Sequence, residues 1–424
     1  MKVLIVTYYW PPSGGGGVQR WVKFAKHLRG FGWEPVIYTP ENPNVPVYDE
    51  SLLSEVPKDI TVIKKPIREP YKLARFFSGG NASNRMGARG DDANKSSLLK
   101  RMALWVRGNW FVPDARILWV KPSTKFLLKW LESNQVDVII TTGPPHSMHL
   151  IGLALKAKHE HLSWVADFRD PWSDMDYLSE FSLGSKALKK IKKMEADVVK
   201  SADMILLTSK RAGIKLLGEI NHPKSVCIPN GWDPDDFPKN ISNKSGNLEN
   251  VITLGHFGSI QGSRNCPGLW EAIAKFNAKN ESQINLIFAG NVSAEIKTGV
   301  TKAGLNNCEF LGNLPHKKSI TEMLRCDALL LIHNDTDSAV NSTPGKIFEY
   351  IGTSLPIISI CRKDSDLSDL LNAFNLPSAT HNDVKEVEIM LESITQRPAI
   401  DASLFTREKL TEKLVTVLVE LQKT

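Results

Sequence analysis

The sequence predicts an α/β protein of two halves, each a doubly wound parallel sheet covered by helices. Three observations carry this. Apolar runs of strand length alternate with helical periodicity along the chain. The alternation starts afresh after a polar, turn-rich stretch at 238–249, and polar or glycine-rich turns follow several strands. The composition agrees: of 424 residues, 42% are hydrophobic and 23% charged, which excludes wholesale disorder.

Residues 2–8 read as a first buried strand. The opening has one lysine and no small-residue cleavage site, so it is read as structure and not as a signal peptide. Residues 17–29 read as a helix with Trp21, Phe24, Ala25 and Leu28 on one face, ended by Gly30 and Gly32. Strands follow at 35–38, 136–142, 164–168 and 204–208. An amphipathic helix at 186–200 turns Leu188, Ile191, Met194 and Val198 inward, and the Gly/Asn/Ser-rich stretch 78–97 reads as a mobile loop. The second set has strands at 251–257, 285–289, 308–311, 328–332 and 356–360. Its helices fall within 266–277 and at 318–325 and 344–351, and a last helix spans 405–422. The expected domains are 1–238, 245–402 and a C-terminal helix at 403–424 crossing back to the first. Two Rossmann-like halves imply a central cleft, with ligands outside the strand carboxyl ends.

The net charge of +7 is unevenly spread. Residues 61–130 hold 15 Lys or Arg against four Asp or Glu, interleaved with Trp105, Trp110, Phe111, Trp119, Phe126 and Trp130. That pattern suits an anionic membrane surface, or a solvated basic face over core aromatics. No nucleic-acid motif accompanies it. No apolar run reaches the ~18 residues of a membrane span. Five separated cysteines without a CxxC indicate neither a disulfide framework nor a zinc site, and a reduced cytoplasmic protein is the simplest reading.

Four segments could carry chemistry. Gly14–Gly17, between the first strand and its helix, let a backbone approach a ligand and offer free N–H groups to an anion. The spacing is neither the dinucleotide fingerprint nor a P-loop, which speaks against a nicotinamide enzyme. Ser342-Thr343-Pro344-Gly345-Lys346 reads as a helix start with Thr343 as N-cap and Pro344 at the first position. Lys346 adds charge at the dipole's positive end, and Glu349 follows one turn on. A nucleotide's diphosphate and ribose would suit them, as would an ordinary capped helix with a salt bridge. Gly258–Arg264 follows the first strand of the second half, where Arg264 could hold a phosphate bidentately or be a lone surface arginine. Finally, Thr141–His149 and Asp167–Trp172 put polar side chains at strand ends, including His146, His149, Asp167, Arg169 and Asp170, some of which could simply pair with each other. Three Asp-x-Asp strings (Asp174/Asp176, Asp335/Asp337, Asp364/Asp366) could hold Mg²⁺ on a diphosphate, but such short matches are common by chance.

Taken together, YYWPPSGGGG, TTGPPHSMHL, DFRDPW, IPNGWD, LGHFGS, FAGN, FLGNLPH and PGKIFEYIGTSLP resemble, in order and spacing, a GT-B glycosyltransferase, most of all the retaining glycosyltransferase family 4. The resemblance covers nearly the whole chain. It implies a GT-B fold whose second domain binds a nucleoside-diphosphate sugar as substrate, with no further cofactor and no metal. The first domain would bind a glycan or lipid-linked acceptor in cell-surface polysaccharide synthesis. By resemblance, Arg264 and Lys346 hold the diphosphate, Glu349 the ribose, and Gly312, Asn313 and Leu314 the base. Ser259, Asn341, Thr343, Gly345, Gly15 and Gly16 complete the donor side. His146, His149 and Asp170 face the reacting sugar, and Trp10, Arg20, Asp167 and Arg169 the acceptor. Two positions depart from the family. Asn341 stands where many members have a glutamate eight residues before the second one, and Ser259 where the phosphate loop begins with a basic residue. A sugar-nucleotide epimerase of the same fold and a non-catalytic scaffold are the alternatives.

Overall fold

The computed structural model describes residues 1–45, 47–69, 98–170, 172–173, 178, 181–218, 224–238 and 250–423. The stretch 78–97, nearly all of 238–249, and Asp174/Asp176 lie outside them. The chain divides into two compact units, Met1–Pro229 with Leu410–Thr424, and Asn230–Lys409.

The first unit's sheet is wholly parallel. Its strands are β1 (Lys2–Val6), β2 (Glu34–Pro40), β3 (Thr61–Lys65), β4 (Val138–Gly143), β5 (Ser163–Phe168), β6 (Met204–Leu207) and β7 (Ser225–Cys227), in the order β3-β2-β1-β4-β5-β6-β7. Its helices are α1 (Gly16–Leu28), α2 (Leu98–Trp110), α3 (Ile117–Leu131), α4 (Ser147–Lys156), α5 (Ser185–Ser201) and α6 (Lys210–Leu217). Strand alternation splits the core in two. Leu4 and Val6 join Trp119, Leu127, Ile151 and Trp164 on one side. Val3 and Ile5 join Trp21, Phe24 and Leu28 on the other.

The second unit repeats the plan with β8 (Val251–Phe257), β9 (Gln283–Ala289), β10 (Cys308–Gly312), β11 (Ala328–Ile332), β12 (Ile357–Ile360) and β13 (Ser378–Ala379), in the parallel order β10-β9-β8-β11-β12-β13. Helices α7 (Pro267–Lys279), α8 (Ala294–Lys302), α9 (His316–Arg325), α10 (Lys346–Thr353), α11 (Asp366–Ala373) and α12 (Val384–Glu392) accompany it. From Leu410 onward the last helix, α13 (Arg407–Glu420), packs Leu410, Leu414, Val417 and Leu418 into the first unit's core. Each sheet reverses its order once, between β1 and β4 and between β8 and β11. At such a reversal the connections leave in opposite directions and open a crevice at the strand carboxyl ends.

Some local expectations need correction. Leu188 is 36% exposed, and Ala187 takes the inward place beside Ile191 and Val198. Helix α10 begins at Lys346, not Pro344, and Thr343 does not cap it. Instead, bonds from Ile347 N to Pro344 O (3.1 Å) and Phe348 N to Gly345 O (3.3 Å) tighten the first turn. Helix α4 begins where the sequence offered only a polar turn. Its cap is remote: Asp114 accepts from Ser147 N (2.9 Å) and Ser147 Oγ (2.8 Å).

Candidate functional site

In the second unit the ladder between β8 and β11 pairs Leu254 with Ala328 and Gly255 with Leu329. Beyond that register the strands part and their backbone groups need other partners. Tyr350 of α10 supplies one: its hydroxyl accepts from Phe257 N (2.9 Å) and donates to Leu330 O (3.3 Å). His256 supplies another, with Nδ1 at 3.0 Å from Leu330 O. Tyr350 thus pins α10 in the crevice and brings Lys346, one turn earlier, to the end of β8. Lys346 Nζ lies 3.3 Å from His256 Nε2. Gly258 passes beneath it at φ +113°, and a β-carbon there would sit 2.8 Å from Nζ.

Arg264, on a short turn at Gly262–Arg264, is aimed by Asn334 Oδ1 at 2.5 Å from Nε and by Ser259 O at 3.2 Å from Nη1. Arg264 and Lys346 thus lie within each other's field, beside rings that stay neutral. Burial, then Lys346, holds His256 well below the usual imidazole range. Burial, then Arg264, lowers His333 to about 4. Burial and next Arg264 push Lys346 down to about 7, against the pull of Glu349. Glu349 itself is raised by burial, opposed by His316 and Arg407. His316 stands between two carboxylates, 3.4 Å from Asp236 Oδ2 and 3.9 Å from Glu349 Oε1. An arrangement that makes a lysine costly to charge is stabilised by an anion.

The sign of that cost is testable. The native chain holds fewer protons at Lys346 than the unfolded chain between about pH 7 and the lysine's ordinary 10.5. This residue's contribution to stability therefore rises with pH across that window and is least favourable below pH 7. Lys346→Met is expected to raise the melting temperature of the unliganded protein most at pH 6–7 and least near pH 10, in melts followed by circular dichroism.

The other residues of this unit expected on the donor side lie at its turns and strand ends. Gly312, at φ +66°, ends β10 and exposed Asn313 follows it, with Leu314 half-buried next in the chain. Gly312 O accepts from Gly290 N at 2.7 Å, tying the ends of β9 and β10. Ser259 is exposed, and Asn341 and Thr343 are half-buried beside the start of α10. Gly345 is exposed against Asn230 of the IPNGWD segment. Asp337 and Asp364 are bound by Arg362 at 2.8 and 2.9 Å. Among the described residues, no group of three or more His, Cys, Asp or Glu side chains is placed to hold a metal ion.

In the first unit the glycine loop opens α1. Gly15 takes φ +105° and Gly16 is unobstructed, while a β-carbon on Gly17 would collide with the Arg169 guanidinium. Arg169 spans from there to the loop after β4, donating from Nε to Gly143 O (3.1 Å) and from Nη2 to Pro144 O. Three residues expected to face an acceptor are enclosed instead. Trp10 is a core residue. Arg20 and Asp167 are fully buried and bound to each other at 3.1 Å. Asp167 also accepts from Trp21 Nε1 (2.8 Å) and Thr142 Oγ1 (2.8 Å), and Arg20 donates to Pro229 O (3.0 Å). Strand β5 points Asp167 at α1, so its charge is used inside the fold.

His146 and His149 sit together over Gly143, buried and stacked on Trp172 and Phe168 respectively. His149 Nδ1 meets Thr141 Oγ1 at 2.9 Å. Both His146 nitrogens, His149 Nε2 and Trp172 Nε1 have no protein hydrogen-bond partner. Burial lowers both imidazoles, helped at His146 by His149 and then Arg169 and at His149 by Arg169, which takes His149 to about 3, so each is neutral at pH 7. Neither is poised as an imidazolium acid. Each offers one N–H and one lone pair. Asp170 is raised by burial against the pull of Arg169. His256, Asn334, His333, Tyr350 and Asn230 were not singled out as site residues by sequence. The one signal available was His256, a polar residue inside the apolar strand that leads into the Gly258–Arg264 turn.

No protein-family model matches the chain, and no curated protein matches it. Solved structures do. HepE of Anabaena, in complex with UDP and glucose, is 14% identical, with 99% of this chain and 100% of that one covered at a TM-score of 0.62. A glycosyltransferase of Rickettsia africae is 14% identical over 100% and 99%, at 0.65. WaaG, a glycosyltransferase of lipopolysaccharide biosynthesis, is 14% identical over 98% and 99%, at 0.54. The fold is GT-B. Its two parallel sheets, of seven and six strands, match those of GT-B glycosyltransferases.

Proposed function

We propose that the protein is a retaining hexosyltransferase that moves a sugar from a nucleoside-diphosphate sugar, such as a UDP-sugar, to a glycan or lipid-linked acceptor in cell-surface polysaccharide synthesis. The observation that carries this is Lys346 at the end of β8 within the field of the fixed Arg264, with Glu349 one turn along α10. In the proposed reaction the bond from the anomeric carbon to the β-phosphate oxygen breaks, and charge develops on that phosphate. Arg264, Lys346 and the start of α10 stabilise it without needing a metal. The acceptor hydroxyl attacks the oxocarbenium-like carbon on the same face and passes its proton to the leaving phosphate oxygen. Glu349 takes the ribose hydroxyls, Gly312–Leu314 the base, and Asn341, Ser259, Thr343, Gly345, Gly15 and Gly16 further donor contacts. His146 and His149, being neutral, serve as hydrogen-bond partners of the sugar, which Asp170 also faces, while exchange of protons is left to the phosphate.

Thermal melts with UDP, GDP, their sugar conjugates and NAD test the reading. A ligand at 100 times its Kd adds about 2.7 kcal/mol. One nucleotide and its sugar conjugate are expected to stabilise the protein, and Glu349→Ala to lose that shift. Stabilisation by NAD alone overturns the reading, and no response to any of them favours a scaffold. Release of nucleoside diphosphate that requires an acceptor separates a transferase from an epimerase.

The reading includes a place for the acceptor at an anionic membrane face. Supporting it, α2 exposes Arg101, Met102, Trp105 and Trp110, and its Asn109 accepts from Gly184 N (2.7 Å) beside the lysine-rich helix α5. Among the described residues, no helix is long and apolar enough to cross a membrane. Neutralising Lys100, Arg101 and Arg107 together is expected to reduce co-sedimentation with anionic vesicles severalfold, and unchanged binding would count against the surface.

A further inference from the structure

We infer that His256 is a positioning residue for Lys346 and, through it, for the phosphate that the second unit takes. Only the last step rests on the nucleotide reading above. His256 is wholly enclosed on β8, at the point where β8 and β11 part. The Leu330 carbonyl, 3.0 Å from Nδ1, can only accept and is the stronger of the ring's two backbone partners, Gly258 being the other, so Nδ1 carries the proton of the neutral ring. Nε2 is left with a lone pair, and 3.3 Å from it lies Lys346 Nζ. The separation of two strands thus sets the tautomer, and the tautomer sets the direction of the lysine.

The surroundings leave the ammonium little choice. Tyr350, one turn further along α10, is bound to Phe257 N and Leu330 O, which fixes the helix against β8. Gly258 leaves the space that a β-carbon would take from Nζ. The charged and titratable groups around Lys346 are Arg264 of the turn after β8, which repels it, Glu349 of its own helix, which attracts it, and His333 after β11. His256 is the neutral acceptor among them. An ammonium held by an acceptor behind it presents its other two N–H groups forward.

The test uses the full chain and has one readout that needs no nucleotide. Acetylation of Lys346, followed by peptide mass spectrometry from pH 6 to 10, titrates its amine in the unliganded protein. Binding of UDP and GDP is measured by calorimetry over the same range. In the wild type the acetylation midpoint is expected near 7, with nucleotide affinity falling above it as the ammonium is lost. His256→Phe keeps the ring volume and removes the acceptor. It is expected to move the midpoint to lower pH and to weaken nucleotide binding at pH 7 about tenfold, the scale of one hydrogen bond to a charged group. His256→Gln offers an amide oxygen in place of Nε2 and is expected to restore both. Where the phenylalanine variant does not fold, His256→Leu serves the same comparison. An unchanged midpoint and affinity in His256→Phe overturns the inference. So do equal losses in the Phe and Gln variants matched by equal falls in melting temperature. Failure of the wild type to bind any nucleotide overturns the functional reading instead, while the acetylation profile still decides on His256.

Discussion

Asp167→Ala is expected to destabilise the first unit by about 3–5 kcal/mol, the cost of leaving a buried partner charge uncompensated. Arg20 and Asp167 are both fully shielded from water, and no solvent can replace the lost carboxylate. The loss reaches three elements at once, because Asp167 of β5 holds Arg20 and Trp21 of α1 and Thr142 of β4. A fall of about 10 °C in the melting midpoint follows for a unit of this size. Asp167→Asn keeps an oxygen for Trp21 Nε1 or Thr142 Oγ1 and loses less. An alanine variant that melts within 2 °C or so of the wild type would contradict this account. The glycine loop should feel the same change, since Arg169 lies two residues on and its guanidinium rests over Gly17.

Arg264→Ala is expected to lower kcat/KM for the donor by about 10²–10³-fold, the usual effect of removing one fixed group from a developing oxyanion. The reason is orientation as much as charge. Asn334 and the Ser259 carbonyl hold the guanidinium plane before any ligand arrives, so little ordering remains to be done on binding. Arg264→Lys keeps the charge, loses the two-pronged geometry, and should recover only part of the rate. Steady-state kinetics at varied donor and saturating acceptor separate the outcomes, and a loss below fivefold would remove Arg264 from the reacting phosphate. The acceptor KM is expected to stay within a factor of two, since the proposed acceptor side is in the first unit and Arg264 belongs to the second.

Much of the fold was legible before any coordinate. The strands at 251–257 and 328–332 are found where the apolar runs placed them, because a strand buried on both faces reads as a continuous apolar run. The inward face of α1, with Trp21, Phe24, Ala25 and Leu28, follows from helical spacing alone. The motifs also led to Arg264, Lys346 and Glu349, since glycine-rich turns and helix starts at strand ends are local signals. What local signals could not reach were remote partners. Asp114 caps α4 from 33 residues away, and His256 meets Lys346 across 90.

The sequence by itself determined two parallel α/β units and the loops that end their strands, because periodicity and turn chemistry are properties of short segments. Only the tertiary structure decided which charges are enclosed against each other and which stand at the strand ends. Arg20 and Asp167 looked like acceptor groups in the chain and became an internal ion pair 147 residues apart in sequence. Lys346 and Glu349 read equally as a nucleotide site or an ordinary helix start, and the fold sets Lys346 beside His256 and within the field of Arg264. The physical reason is strand order: where β8 and β11 separate, backbone groups must find side-chain partners, and those side chains then aim the groups next to them.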